Sequence, residues 1–265
     1  MTNNLLKFWE YKNKPQNVVS ILIASYNTKS EFIYECLDSI SMQRGNFAIE
    51  LVWINDGSDE TYSAKLEEAL NTFSINKNFL SIKYHMLSKN KGLSYALNYG
   101  VIQCSNEIIF RMDADDIMHE LRIITQLEFM LSTPDCVLCG TDIIPFSYIN
   151  GMQKQVDKIS DHPQKLTWEE YKKKRIFWIL NHPTLCFKKS AVLEVGNYDK
   201  YLKLPFEDLD LELRILKKYG VVYNIKQNLL LYRIHPDQIT IKNSSKTLEN
   251  NELKKELIEK LISSN

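Results

Sequence analysis

Val18-Val19-Ser20-Ile21-Leu22-Ile23-Ala24-Ser25 is the stretch on which the fold turns. It is a short apolar run rich in β-branched side chains, the pattern of a strand covered on both faces. A helix is expected from about Lys29, because Phe32, Cys36 and Ile40 recur at i, i+4 and i+8, with Ser30 as N-cap and Gly45 beyond the end. Ile49 to Asn55 repeats the buried-strand pattern. Ser58 and Asp59 then offer caps for a helix that carries Leu66, Ala69, Leu70 and Phe73 on one face. The alternation continues with a strand over Phe79 to Met86, a helix over Gly92 to Val101 and a strand over Glu107 to Met112 ending at Asp113. A helix from about His119 to Leu131 stops before Pro134, and Asp135 to Thr141 resumes a strand. Strand and helix in turn, with short connections, predict an α/β fold: a mostly parallel, Rossmann-like sheet flanked by helices.

The second half is less regular. Phe146 to Lys165 is expected to cross the surface, Thr167 to Leu180 to be helical, and Thr184 to Phe187 to form a short strand. A helix from about Glu207 buries Leu209, Leu213 and Leu216, and Val221 to Ile225 and Leu229 to Ile234 are two further strands. From about Thr247 the tail is amphipathic, with Leu253, Leu257 and Leu261 at i, i+4 and i+8. Such a helix either packs on the domain or lies on a membrane surface or a partner.

Composition narrows the classes of function. Lys plus Arg and Asp plus Glu both total 33 in 265 residues, so the chain is neutral and offers no basic stripe for nucleic acid. Met1 to Pro15 is polar and lacks the apolar core of a secretory signal, and runs such as Val18 to Ala24 are too short to span a bilayer. Five scattered cysteines argue against a disulfide framework and fit a reducing cytoplasm. Cys136 and Cys139 form an isolated CxxC inside an apolar run, which is the setting of ordinary buried thiols.

In open parallel sheets ligands bind beyond the carboxyl ends of the strands. Three polar clusters fall there: Ser25-Tyr26-Asn27, Asn55-Asp56-Gly57-Ser58 and Asp113-Ala114-Asp115-Asp116. The last puts three mutually repelling carboxylates in four residues, and such hard oxygen ligands suit Mg²⁺ or Mn²⁺. The same four residues also fit a solvated acidic turn ahead of a helix. Asp56 is a good acceptor for a nucleobase N–H but sits in a sequence that is also a turn and cap. Asn90-Lys91-Gly92-Leu93 brings a cation and backbone amides, or simply starts a helix. Glu207-Asp208 is favoured at a helix start by the dipole, and either carboxylate could instead serve as a general base. His182 and His235 add polar groups, and His235 could complete a metal shell.

Together these blocks resemble the inverting family 2 glycosyltransferases, and His182-Pro183-Thr184 and Tyr232-Arg233-Ile234-His235 resemble segments of bacterial capsule and lipopolysaccharide transferases. The resemblance runs from residue 18 to about 235. It implies a GT-A fold with a nucleotide-binding half over about 18–116 and an acceptor half over about 117–240, between an N-terminal extension (1–17) and a helical tail (241–265). It further implies a nucleoside pocket lined by Ala24, Ser25, Tyr26 and Asn27, with Asp56 reading the base and Asn90, Lys91, Gly92, Arg111, Asp113 and Ala114 completing the donor site. Asp115 and Asp113, with His235, would hold Mn²⁺ or Mg²⁺. Asp208 would be the base with Glu207 beside it, and His182 and Asp116 would meet the acceptor. The tryptophan common a few residues later in the family is absent, and Glu212 follows Leu211.

The implied reaction is a non-processive, metal-assisted transfer from a nucleotide sugar, a UDP-sugar by default, to a glycan or lipid-linked acceptor. The enzyme would be cytoplasmic or peripheral at the membrane. A sugar nucleotidyltransferase is the first alternative, weakened because Ser25-Tyr26-Asn27-Thr28-Lys29 lacks the Gly-rich loop that such enzymes place there. A non-catalytic nucleotide-sugar-binding module is the second.

Overall fold

The computed structural model describes residues 17–75, 79–149, 152–157, 160–202, 206–238 and 247–264. Apart from Asn17, the expected N-terminal extension lies outside them, as do Pro205 and residues 241–246 of the expected tail. The first half follows the predicted alternation: β1 (Asn17–Ser25), α1 (Ser30–Ser41), β2 (Phe47–Asn55), α2 (Glu60–Phe73), β3 (Phe79–Met86), α3 (Leu93–Gln103) and β4 (Ile108–Asp113). Then come β5 (Ile117–Met118), α4 (Arg122–Ser132), β6 (Leu138–Ile149), β7 (Met152–Gln155), β8 (Lys165–Thr167) and α5 (Trp168–Lys174). A 3-10 turn (His182–Thr184) leads into β9 (Cys186–Lys188), α6 (Lys189–Glu194), α7 (Glu207–Tyr219), β10 (Val221–Arg233) and α8 (Thr247–Ser263).

Among the described residues the strands form one sheet, in the order β3-β2-β1-β4-β9-β6-β10-β5, with β7 on β6 and β8 on β10. β3, β2, β1 and β4 are mutually parallel, and β6 and β10 are parallel to each other. The short antiparallel β9 joins the two blocks. Continuous apolarity in β1 has a direct cause, since its faces enter different cores. Val19, Ile21 and Ile23 pack with Ile33, Leu37, Leu66 and Leu70, while Leu22 and Ala24 pack with Ala96, Leu97 and Val101.

Several expectations in the second half are corrected. β6 runs on to Ile149 where a surface crossing was expected, because β7 pairs with Phe146 to Ile149. The helix expected over Thr167 to Leu180 ends at Lys174: Arg175 adopts a left-handed C-cap, and the following chain is drawn away by tertiary contacts. The two last strands are one, β10, with its polar Lys226-Gln227-Asn228 absorbed as a bulge against β6. Ser30 is the first residue of α1, and Lys29 occupies the N-cap with no side-chain bond. α8 turns its stripe inward: Ile258 is buried in the second core, with Leu253, Leu257 and Leu261 packed against it. Lys217 on α7 bonds the Leu261 carbonyl, so the packed alternative holds for this stripe. All five cysteines are buried and free.

Candidate active site at the carboxyl rim of the sheet

Strand register gathers the three polar clusters at one level. Ser25 is opposite Asn55, and Ala24 is opposite Asp113. The Asp56 N–H donates to the Ser25 carbonyl (2.8 Å), the Asn27 N–H to Ser58 Oγ (3.0 Å) and the Asp59 N–H to Asn27 Oδ1 (3.1 Å). Asn27 bears a positive φ of 49°, a conformation that asparagine tolerates better than most residues. The Ser25 hydroxyl is turned inward, accepting from Trp53 Nε1 (2.8 Å) and Tyr62 (2.6 Å), so it braces the rim, while Tyr26 stands 52% exposed.

The buried Asp56 carboxylate accepts the backbone N–H groups of Lys91 (2.9 Å) and Gly92 (2.8 Å). Burial pushes its pKa up, against those two amides and the Lys91 charge. Asp56 therefore fastens the loop before α3 to the end of β2. Gly57 is needed for this, because its φ is +69° and a Cβ would come within 2.2 Å of the Lys89 carbonyl carbon. Asn90 and Lys91 are exposed, and Lys91 Nζ lies 4.3 Å from the Tyr95 ring centroid.

At the end of β4, Asp113, Asp115 and Asp116 each place a carboxylate oxygen within 4.8 Å of the others. Buried Arg111 donates to both oxygens of Asp113, at 2.9 and 2.5 Å. Asp116 is wholly buried: Oδ1 accepts the Arg233 N–H (2.9 Å), and Oδ2 has no partner. Burial, then the neighbouring carboxylates, raise its pKa well above the ordinary range. Asp116, expected to meet an acceptor, thus lies beneath the surface in this structure.

Asp115 Oδ2 lies 2.8 Å from His235 Nε2, and Arg233 Nε donates to the Asp115 carbonyl (2.6 Å). Arg233 also pairs with Glu35 and lies over the rings of Phe32 (4.2 Å) and Phe146 (4.7 Å). Three hard oxygen donors with one unpaired buried oxygen, beside a histidine whose Nδ1 is also unpaired, fit a divalent cation.

Glu207 and Asp208 open α7, with Asp210 also in its first turn. Asp208 Oδ1 accepts the Leu209 N–H (2.7 Å). Glu207 lies 3.9 Å from His182 Nδ1, and His182 Nε2 is 2.9 Å from the Tyr198 hydroxyl. Burial and then the Asp208 charge push the Glu207 carboxyl up to about 8. Burial and then the Arg111 charge push the His182 imidazole well down, so it is neutral at pH 7. The charge of Arg111 acts on Asp113, Glu207 and Asp208 alike. Electrostatically, the acids ending β4 and those opening α7 are thus linked through one buried cation.

Sequence reading missed Glu35, Arg122 and Tyr198. Arg122 donates to the carbonyl of Arg111 (2.8 Å) and so holds β4 just before the acidic turn. Its signal was available: it stands with Gln126 on the buried stripe of α4, where polar side chains need a reason to be.

Residues 20–194 match the family described as Glycosyl transferase family 2. The chain belongs to this family. The amylovoran biosynthesis glycosyltransferase AmsE of Erwinia amylovora is 31% identical over 221 residues, covering 83% of this chain and 77% of its own length. The UDP-Gal:alpha-D-GlcNAc-diphosphoundecaprenol beta-1,3-galactosyltransferase of Escherichia coli is 31% identical over 213 residues, covering 80% and 72%.

Among solved structures, S. aureus TarS 1-349 in complex with UDP-GlcNAc aligns with a TM-score of 0.64 at 16% identity, over 91% of this chain and 66% of that one. The mannosyltransferase PcManGT from Pyrobaculum calidifontis, in complex with GDP-Man and Mn²⁺, aligns with a TM-score of 0.56 at 16% identity, over 84% and 62%. The chain thus spans just under two thirds of these two structures' length. At these identities they speak for the fold, which is of the GT-A type.

Proposed function

We propose that this chain transfers a sugar from a nucleotide-sugar donor, a UDP-sugar in the first instance, to a hydroxyl of a glycan or lipid-linked acceptor, in one inverting, metal-assisted step. The observation that carries this reading is the cluster of Asp113, Asp115 and Asp116 at the end of β4, with Asp113 held by Arg111, whose charge also acts on Glu207 and Asp208. The printed substrates of the E. coli galactosyltransferase and the ligands of the two solved structures support the donor class. Membership of the family leaves the nucleotidyltransferase alternative without support.

In this reading Ala24 and Tyr26 flank the nucleoside, Asp56 reads its base, and Asn27 and the Asn90-Lys91-Gly92 loop shape the donor pocket. Asp115 and Asp113, with His235, would hold Mn²⁺ or Mg²⁺, which when bound offsets the charge of the departing diphosphate. Asp208 removes the proton of the acceptor hydroxyl as that oxygen attacks the anomeric carbon. Glu207, against neutral His182, orients the acceptor. Arg111 keeps the two acidic groups together and positions Asp113.

No described helix is long and apolar enough to cross a membrane. We place the enzyme in the cytoplasm, in peripheral reach of a lipid-linked acceptor. The test is thermal stability with UDP, GDP, dTDP and CDP, each with and without Mn²⁺. A metal-dependent rise with one nucleotide, lost in Asp115→Ala, is the expected result. No rise with any nucleotide rejects the reading.

A further inference from the structure

Two segments that the donor site does not use lie against α7, the helix that Glu207 and Asp208 open. Phe177 and Trp178 precede Leu180, whose N–H donates to Glu212 Oε2 (3.3 Å), and His182, which faces Glu207 at 3.9 Å. This stretch therefore runs along the first turns of α7. From the other side α8 brings Lys254, whose Nζ lies 5.6 Å from the Trp178 ring centroid and 5.9 Å from that of Phe177. Lys254 has no ion pair among the described residues. Trp178 is 54% exposed, a large ring left open to solvent.

The electrostatics make Lys254 notable. Burial raises the Asp208 pKa, and the Leu209 N–H and then the Lys254 charge lower it. A cation beside a general base weakens that base, so Lys254 works against Asp208 unless an anion takes up its charge. An open indole suits the apolar face of a sugar ring, and a lysine ammonium suits phosphate as a point charge.

We infer that Phe177, Trp178 and Lys254 form an acceptor subsite for a phosphate-bearing saccharide, with the sugar on Trp178 and its phosphate on Lys254. The subsite rests on the proposed glycosyl transfer, and it makes α8 part of the active site. It would distinguish glycosyl phosphates from neutral glycans of the same sugar.

The test is equilibrium binding with the donor site filled by UDP and Mn²⁺. The probes are octyl α-GlcNAc diphosphate and the uncharged octyl α-GlcNAc, carrying the sugar printed for the E. coli relative. The diphosphate is expected to bind about tenfold tighter, the scale of one charge-assisted hydrogen bond. Lys254→Met should erase that difference and leave the Kd for UDP with Mn²⁺ unchanged, while Trp178→Ala should weaken both octyl compounds.

A third probe, GlcNAc 1-diphosphate without the chain, separates the sources. Binding equal to the octyl compound means any glycosyl diphosphate is accepted, and weaker binding means a lipid-linked one. Equal binding of the two octyl compounds, binding of neither, or an undiminished preference in Lys254→Met overturns the subsite. If no nucleotide binds with Mn²⁺, the donor reading fails by itself, and the octyl comparison is run without nucleotide and still decides the subsite.

Discussion

Arg111 grips both carboxylate oxygens of Asp113, at 2.9 and 2.5 Å, from a guanidinium that is almost wholly buried. The pair spans two residues of one strand end, and the same positive charge reaches Glu207 and Asp208. Arg111→Met would leave Asp113, Glu207 and Asp208 without the positive charge that offsets theirs. Unfolding free energy should fall by about 3 kcal/mol, as when one partner of a buried pair is removed. Urea denaturation measures this, and Arg111→Met with Asp113→Asn should recover a good part of the loss.

Asp208→Asn should retain nucleotide binding with Mn²⁺ and lose transfer by about 10²-fold or more, the usual scale of general base catalysis. Steady-state kcat beside the nucleotide Kd checks it. Near-normal transfer by this variant removes Asp208 from the role.

Asp115→Ala separates metal binding from stability. The side chain is 22% exposed and belongs to a group of like charges, so its loss should leave the metal-free protein as stable as before or slightly more so. The rise in Tm produced by Mn²⁺ with nucleotide should disappear. A large fall in the metal-free Tm would mean that Asp115 is structural.

Glu207 should impose a pH slope on stability. Its folded pKa, about 8, is raised from 4.5, so the folded protein binds more protons than the unfolded chain between these values. That contribution is complete below the unfolded pKa, declines as pH rises and is gone above about 8. Glu207→Gln has no such proton to lose. Its stability relative to the natural protein should therefore climb across this window, by at most about 1.4 kcal/mol per pH unit. Urea midpoints at several pH values test it, and parallel curves would refute the shift.

Gly57→Ala would set a Cβ against the Lys89 and Asn90 backbone at a φ of +69°. A destabilisation of more than about 1 kcal/mol is expected, because both the conformation and the space forbid the methyl. Nucleotide affinity should fall with it, since the Asp56 bonds to Lys91 and Gly92 hold the same loop.

The parallel half was legible because its code is local. A strand covered on both faces is mostly apolar, and Val18 to Ala24 but for Ser20, and Leu51 to Ile54, are so; each helix between declares itself by a single stripe. Ligands gather at the carboxyl rim of such a sheet, so Asp56, Asp113 and Asp115 could be singled out without coordinates. The later half followed other rules. Lys226-Gln227-Asn228 looked like a break between strands, and pairing with β6 made it a bulge. Thr167 to Leu180 looked helical throughout, and contacts of Leu180 and Asn181 with Glu212 and Thr141 pulled its second part away.

Sequence by itself therefore determined the parallel sheet, its order of elements and the residues at its rim, since these follow from hydrophobic period and turn chemistry over a few residues. Only the tertiary structure decided that Asp116 lies beneath the surface rather than on it, that Arg111 stands between acids 94 and 95 positions apart in the chain, from Asp113 to Glu207 and Asp208, and that the stripe of α8 faces inward with Lys254 near Asp208. Burial and charge pairing depend on what the rest of the chain places alongside, and no local pattern carries that information.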